Sequence, residues 1–291
     1  MPKPEWLAIK PASTEKYAEI KETIGAYNLH TVCVEAHCPN ITDCWSGGTA
    51  TFMVLGELCT RGCRFCAVSK SAKGSAVDSL EPVKLANVVK KWGLSYIVIT
   101  SVCRDDLSDQ GAAHFASCVR EIKRLNPNTL VEVLIPDFRG DEDCLRTVLN
   151  AQPDVVGHNI ETVETISSTI RDRRATYEQS LTVLENVKKI DPRRYTKSAM
   201  MLGMGETEAE VIGAMADLRK IGVDFIAIGQ YLRPGERHTE LKEYVKPEQF
   251  DFYKKKALEM GFKYAAAGPF VRSSYKAGEH FISAMVQNKQ S

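Results

Sequence analysis

At 291 residues and 44% hydrophobic composition, the chain can bury one large core, as a single α/β barrel does. A net charge of +1 gives no basic excess for nucleic acid, and no apolar run approaches the length of a membrane-spanning helix. The nine cysteines are odd in number and residues 1–20 carry no apolar signal core, so a secreted disulfide scaffold is excluded in favour of reduced thiols in a cytosol or an organelle matrix.

Residues 1–48 are expected to form an N-terminal extension, with a helix near residues 14–27. Glu5, Glu15 and Glu19 argue against an acid-poor transit peptide there. The extension ends in three cysteines, Cys33, Cys38 and Cys44, spaced C-x4-C-x5-C. His37 between them reads as solvated or as a neighbour of a ligand, and Cys38-Pro39 reads as a turn because proline fixes φ and lacks an N–H. Asp43, Trp45 and Gly47-Gly48 read as packing and turn residues.

Residues 49–245 alternate in period. Apolar, β-branched runs at 49–55, 95–102, 130–135, 154–157, 197–202 and 224–228 predict strands, and amphipathic segments at 81–92, 110–125, 141–151, 177–189 and 206–221 predict helices. Near-continuous apolar strands separated by helices imply a parallel sheet. The expected fold is therefore α/β, a partial (βα)6 TIM-like barrel with N-terminal and C-terminal extensions. Residues 246–291 form the C-terminal extension.

A second cysteine triplet, Cys59, Cys63 and Cys66, follows the first strand with C-x3-C-x2-C spacing. Structural zinc takes four closed ligands, commonly as paired C-x2-C knuckles, whereas each triplet offers three thiolates. An iron-sulfur cubane suits that number, because three protein ligands leave one iron open. Cys103, Cys118 and Cys144 have no metal spacing and read as buried free thiols.

Barrel chemistry sits at the C-terminal ends of strands. Those ends carry Thr100-Ser101, Arg104-Asp105-Asp106, Asp137, His158-Asn159-Ile160-Glu161, Gly203-Met204-Gly205-Glu206 and Gln230-Tyr231. Each has a plain structural reading beside the functional one. Arg104-Asp105-Asp106 reads equally as an ion pair capping the next helix. Gly203-x-Gly205 reads as a tight turn or as backbone approaching an adenine or ribose, and His158 as a satisfied core histidine. Asn159 and Glu161 alternate along an extended segment and could bind vicinal hydroxyls.

The C-x3-C-x2-C triplet with Phe65 before its last cysteine resembles the signature of radical S-adenosylmethionine (radical SAM) enzymes. With the first triplet, Arg104-Asp-Asp-Leu, His158-Asn-Ile-Glu-Thr, Met201-Leu-Gly-Met-Gly-Glu and Gly268-Pro-Phe-Val-Arg-Ser-Ser-Tyr, the chain resembles the lipoyl synthases over nearly its whole length. That resemblance implies two 4Fe-4S clusters and S-adenosylmethionine. Cys59, Cys63 and Cys66 would bind the cluster that cleaves S-adenosylmethionine; Cys33, Cys38, Cys44 and Ser273 would bind an auxiliary one, with Ser274 the second choice for the serine. Ser273 and Arg272 are the catalytic candidates. Asn159, Glu161, Ser101 and Gly205 are the nucleoside candidates, the first two by likeness to biotin synthases.

The implied substrate is an octanoyl chain amide-linked to lysine of a carrier, either 2-oxoacid dehydrogenase acyltransferase subunits or the glycine cleavage H protein. Reduced ferredoxin or flavodoxin would supply electrons, and an iron-sulfur carrier would rebuild the auxiliary cluster. A cytoplasmic monomer is expected, without nucleic acid or membrane, or an organelle-matrix enzyme if processed. The rival readings are a biotin synthase-like sulfur-inserting enzyme and a non-enzymatic iron-sulfur carrier. Ser108-Asp109-Gln110, Cys103 and Gly157 depart from the family pattern without removing a cluster ligand.

Overall fold

A computed structural model describes residues 2–8 and 14–277, and the chain divides into two compact units.

The first unit takes in Lys10–Gly62 and Cys66–Val156. Helix α1 (Glu15–Tyr27) starts where the Thr14 side chain accepts the Tyr17 N–H at 3.2 Å, and it stops at Asn28, left-handed at φ 50°. β1 (His30–Thr31), α2 (Val32–Glu35) and α3 (Ile41–Ser46) follow. Strand and helix then alternate through β2 (Thr51–Val54), α4 (Glu81–Trp92), β3 (Tyr96–Ser101), α5 (Ala112–Leu125), β4 (Leu130–Leu134), α6 (Glu142–Leu149) and β5 (Val155–Gly157). β1 pairs antiparallel with β2, whereas β2 with β3 and β3 with β4 run parallel, Thr51 opposite Val98 and Tyr96 opposite Leu130. Every residue of β2 is buried, as a parallel strand covered on both faces requires. The Glu81 carboxylate, at the start of α4, accepts the Leu55 N–H at 3.0 Å and lies 2.6 Å from His114 Nε2 on α5, tying the end of β2 to both helices.

The second unit comprises Met1–Ile9, Cys63–Phe65 and Gly157–Ser291. Its elements are α7 (Glu164–Ile170), α8 (Tyr177–Ile190), β6 (Tyr195–Leu202), α9 (Glu208–Lys220), β7 (Phe225–Gln230), α10 (Pro247–Glu259) and β8 (Tyr264–Gly268). α9 opens on a capping box in which Thr207 and Glu210 satisfy each other's backbone N–H groups. β6, β7 and β8 run parallel, and Ile160, Leu184, Leu202, Leu218, Ile226, Ile228 and Phe250 are among the side chains of one buried cluster.

The α/β class and the partial-barrel alternation expected from the sequence are the architecture found. All six expected strands are present, and the helix expected near residues 14–27 and the five expected between strands start and end within two residues of the expected bounds. β8 was not expected. Tyr264-Ala-Ala-Ala-Gly268 lacks the β-branched residues that mark a strand, and pairing with β7 outweighs its alanines' preference for helix.

Asp224 shows how the second unit is fastened. Its carboxylate, just before β7, accepts from Lys188 Nζ at 2.6 Å, Lys263 Nζ at 2.9 Å and the Thr196 N–H at 2.9 Å. Burial alone would raise this carboxyl, but those bonds outweigh it and hold the group below the usual carboxylate range. A depressed folded value means that the stabilisation is present above about pH 4 and is lost as pH falls through the folded pKa. Asp224→Asn should cost about 1–3 kcal/mol at pH 7, with the deficit shrinking below pH 4. Urea unfolding at both pH values checks this, and equal deficits at the two would contradict it.

Candidate functional site

In the first unit the N-terminal triplet sits on two short helices and the turn between them. Cys33 is on α2, Cys44 on α3, and the Cys38 N–H donates to the Cys33 carbonyl at 3.0 Å. His37 is left-handed at φ 50°, a turn position. Burial pushes the Cys33 thiol up to about 11, with the charge of Cys38 adding to the rise and the Thr51 backbone and the Trp45 indole opposing it. Such a sulfur stays protonated at neutral pH unless a metal takes the proton's place.

Cys59 is held between two backbone segments: its N–H donates to the Ser69 carbonyl at 2.9 Å, and its carbonyl accepts from the Ser71 N–H at 3.0 Å. The Cys103 thiol is hydrogen-bonded to the Cys59 sulfur, which holds Cys59 below the ordinary thiol range and pushes Cys103 above it. Cys103 is therefore not the isolated core thiol its spacing suggested. Cys118 and Cys144 are buried, as expected.

The residue between Cys59 and Cys63 that the sequence reading passed over is Arg61. Its guanidinium is 3% exposed and grips Asp105 with two bonds of 3.0 Å each, while Nη1 reaches Asp137 at 2.5 Å. Thr60 joins in: its hydroxyl accepts the Asp105 N–H at 3.0 Å and lies 2.9 Å from the Cys103 carbonyl. Arg139 covers the other side of Asp105 at 2.9 Å. Arg104 and Asp106 do form an ion pair, at 2.9 Å, but the pair binds the Leu55 carbonyl and the Gly74 N–H rather than a helix end. α5 is instead capped by Asp109 through Gly111 and Ala113. Ser101 ends β3 with its hydroxyl buried and without a partner.

In the second unit the Cys63 sulfur accepts the Asp172 N–H at 3.3 Å. The flanking chain is fixed by Arg64 N–H to Ile170 O at 2.6 Å and Thr239 N–H to Arg64 O at 2.8 Å, and Phe65 packs against Ile170, Met204 and Tyr231. The Asn159 amide hydrogen-bonds the Glu161 carboxylate, so the two nucleoside candidates are together as expected. Glu161 is left-handed at φ 67°, a break in the extended segment, where its N–H and carbonyl bond Ala199 and Met201 of β6. Burial raises its carboxyl against the pull of Arg171. His158 is the satisfied core histidine expected, 2.9 Å from Ser180 Oγ.

Gly203-x-Gly205 is a tight turn with both glycines left-handed, and the Glu206 carboxylate accepts the N–H groups of Gly203 and Met204. Arg272 Nη1 donates to the Val271 carbonyl at 2.7 Å, and Ser273 and Ser274 lie in the turn that follows. Gly278 and the expected last helix lie outside the described residues.

The donor set fits an iron-sulfur protein carrying a bound nucleoside. Thiolates are the ligands such clusters take, and the Trp45 indole lies beside the Cys33 sulfur. The Radical SAM superfamily model matches residues 53–229. A chain named lipoyl synthase from Anaeromyxobacter dehalogenans is 51% identical over 99% of this chain and 97% of that protein. An apicoplast lipoyl synthase of Plasmodium knowlesi is 50% identical over 99% of this chain, which spans 65% of its length. Among solved structures, methylornithine synthase (PylB) superposes with a TM-score of 0.56 at 12% identity, covering 87% of this chain and 71% of that one, a likeness of fold alone.

Proposed function

The chain belongs to the lipoyl synthases of the radical SAM superfamily, enzymes that insert two sulfur atoms into a protein-bound octanoyl chain, and we propose how its residues divide that work. Cys59, Cys63 and Cys66 hold one 4Fe-4S cluster, and Cys33, Cys38, Cys44 and Ser273 hold the second. When bound, the clusters supply an electron for cleaving S-adenosylmethionine and the sulfur that is inserted at the sixth and eighth carbons. Those carbons are unactivated, so acid-base residues alone could not open them.

The chain's own residues orient and protect. Arg61, Asp105 and Asp137 fix the loop that carries Cys59. The Asp172 N–H and the Cys103 thiol each donate to a cysteine sulfur, as partners around metal ligands commonly do. Asn159 and Glu161 are assigned to the ribose hydroxyls, Ser101 and the Gly205 backbone to other contacts with the nucleoside, and Arg272 anchors the segment presenting Ser273. A serine oxygen is a harder ligand for iron than a thiolate, so its corner is the easiest to release.

Function as a lipoyl synthase implies an octanoylated carrier and a reductant. We assign the carrier to the lipoyl domains of 2-oxoacid dehydrogenases or to the glycine cleavage H protein, and the reductant to ferredoxin or flavodoxin, with a separate iron-sulfur carrier restoring the auxiliary cluster. No helix among the described residues is long and apolar enough to cross a membrane. We assign the protein to the cytoplasm or an organelle matrix, as a monomer. Residues 1–48, 49–245 and 246–291 are the functional divisions on this reading.

The observation that carries the reading is near-complete coverage of a bacterial lipoyl synthase at half identity by a chain with both triplets intact. The test is anaerobic incubation of the iron-reconstituted protein with S-adenosylmethionine, dithionite and an octanoyl-lysyl peptide. Deoxyadenosine appearing together with dithiolated peptide is expected, and deoxyadenosine without sulfur insertion would overturn the substrate. Ser273→Cys is expected to retain both clusters by iron content while product falls roughly a hundredfold, about 2.7 kcal/mol in the barrier. Undiminished product from that variant would remove Ser273 from the mechanism.

A further inference from the structure

Trp45 follows the last cysteine of the N-terminal triplet, on α3. Its side chain is almost wholly buried, and the ring packs 5.1 Å from that of Tyr17 on α1 with the planes tilted by 43°. Packing accounts for the ring but not for the indole N–H: Nε1 is fully buried, makes no regular hydrogen bond, and has the Cys33 sulfur as the acceptor beside it. A buried donor left with only a weak acceptor is unfavourable, and a stronger acceptor at the same place would satisfy it. That sulfur belongs to a buried residue, Cys33 being 6% exposed. A neutral thiol is a weak acceptor, whereas a thiolate bonded to iron is a good one.

We infer that Trp45 is a positioning residue for the N-terminal cluster, its Nε1–H donating to the Cys33 thiolate when iron is bound. This rests on the ligand assignment proposed above. Such a bond withdraws negative charge from the thiolate, so it favours the reduced cluster, raises its potential and slows loss of iron at the Cys33 corner. The Cys33 corner would then be the retained one while release occurs elsewhere on the cluster.

The experiment uses the full chain with Cys59→Ala, Cys63→Ala and Cys66→Ala, so that only the N-terminal triplet can load. Iron per chain, midpoint potential, iron loss to a chelator and pulsed-EPR coupling to ¹⁵N-tryptophan on the reduced cluster are measured with and without Trp45→Phe, which keeps a ring and removes the donor. The expected results are a ¹⁵N coupling present only with Trp45, a more negative potential for the phenylalanine variant, and iron loss on the order of tenfold faster. A loaded cluster with no ¹⁵N coupling in the unsubstituted-Trp45 protein would overturn the inference without any appeal to the variant. Failure of the Trp45-containing chain to load iron would instead overturn the ligand assignment, and the inference with it.

Discussion

Replacing Arg61 with alanine should remove about 3–5 kcal/mol of stability and leave the C-x3-C-x2-C loop unable to hold iron. The magnitude follows from what is stranded. Asp105 and Asp137 are 5% and 1% exposed, and both face the Arg61 guanidinium, so its removal leaves buried charge without its main counter-ion. Burial would raise the Asp105 carboxyl, but bonds from Arg61, Thr60 and Arg139 more than offset it and depress the group. Its stabilisation is thus present above about pH 4 and lost as pH falls through the lower folded value. In the variant the same carboxylate is a burden that acid relieves, and the gap between the two proteins should narrow as pH drops from 7 towards 3. Arg61→Lys should recover only part of the loss, because an ammonium cannot reproduce the two-bond grip on Asp105. Urea unfolding with iron analysis checks both effects, and a deficit under about 1 kcal/mol at pH 7 would show that the network does not fasten the loop.

Arg61 also marks where sequence reasoning stops. The strands were legible because runs such as Ser95–Val102 pack β-branched side chains that water disfavours, and periodicity is a local property. The triplets were legible because ligand number and spacing carry chemistry without a fold. A lone arginine between cysteines reads as solvated, and nothing nearby reveals that its partners lie 44 and 76 residues further on. Asp105 looked like a cap for the following helix for the same reason, although Asp109 does that work. Glu161 kept its expected partner Asn159 while adopting a left-handed backbone that alternation could not foresee. In each case the deciding contact is long-range or depends on a single backbone angle.

Gly229→Ala should leave the core folded and abolish sulfur insertion. In a strand a glycine normally reads as a weak spot, but here it makes room. A Cβ at Gly229, on β7, would lie 2.0 Å from the Val271 carbonyl oxygen and 3.1 Å from Arg272 Nη1. The first contact is with backbone, so no side-chain rotation can relieve it, and the 271–273 segment must move away from the strand. Overpacking of this kind costs about 1–3 kcal/mol, which a well-buried β7 can absorb. The functional loss is larger, because Ser273 presents a ligand atom and sub-ångström placement governs whether it can bind. Product should fall at least about a hundredfold, ~2.7 kcal/mol in the barrier, while deoxyadenosine formation persists. Gly213→Ala is the control: that glycine lies on an exposed face of α9 with nothing within 4 Å of an added Cβ, and the substitution should stabilise the helix by about 0.5–1 kcal/mol. Dithiolated peptide from Gly229→Ala at the control's level would mean that the Arg272–Ser273 segment does not need its seat on β7, and the assignment of Ser273 as a ligand would lose its structural support.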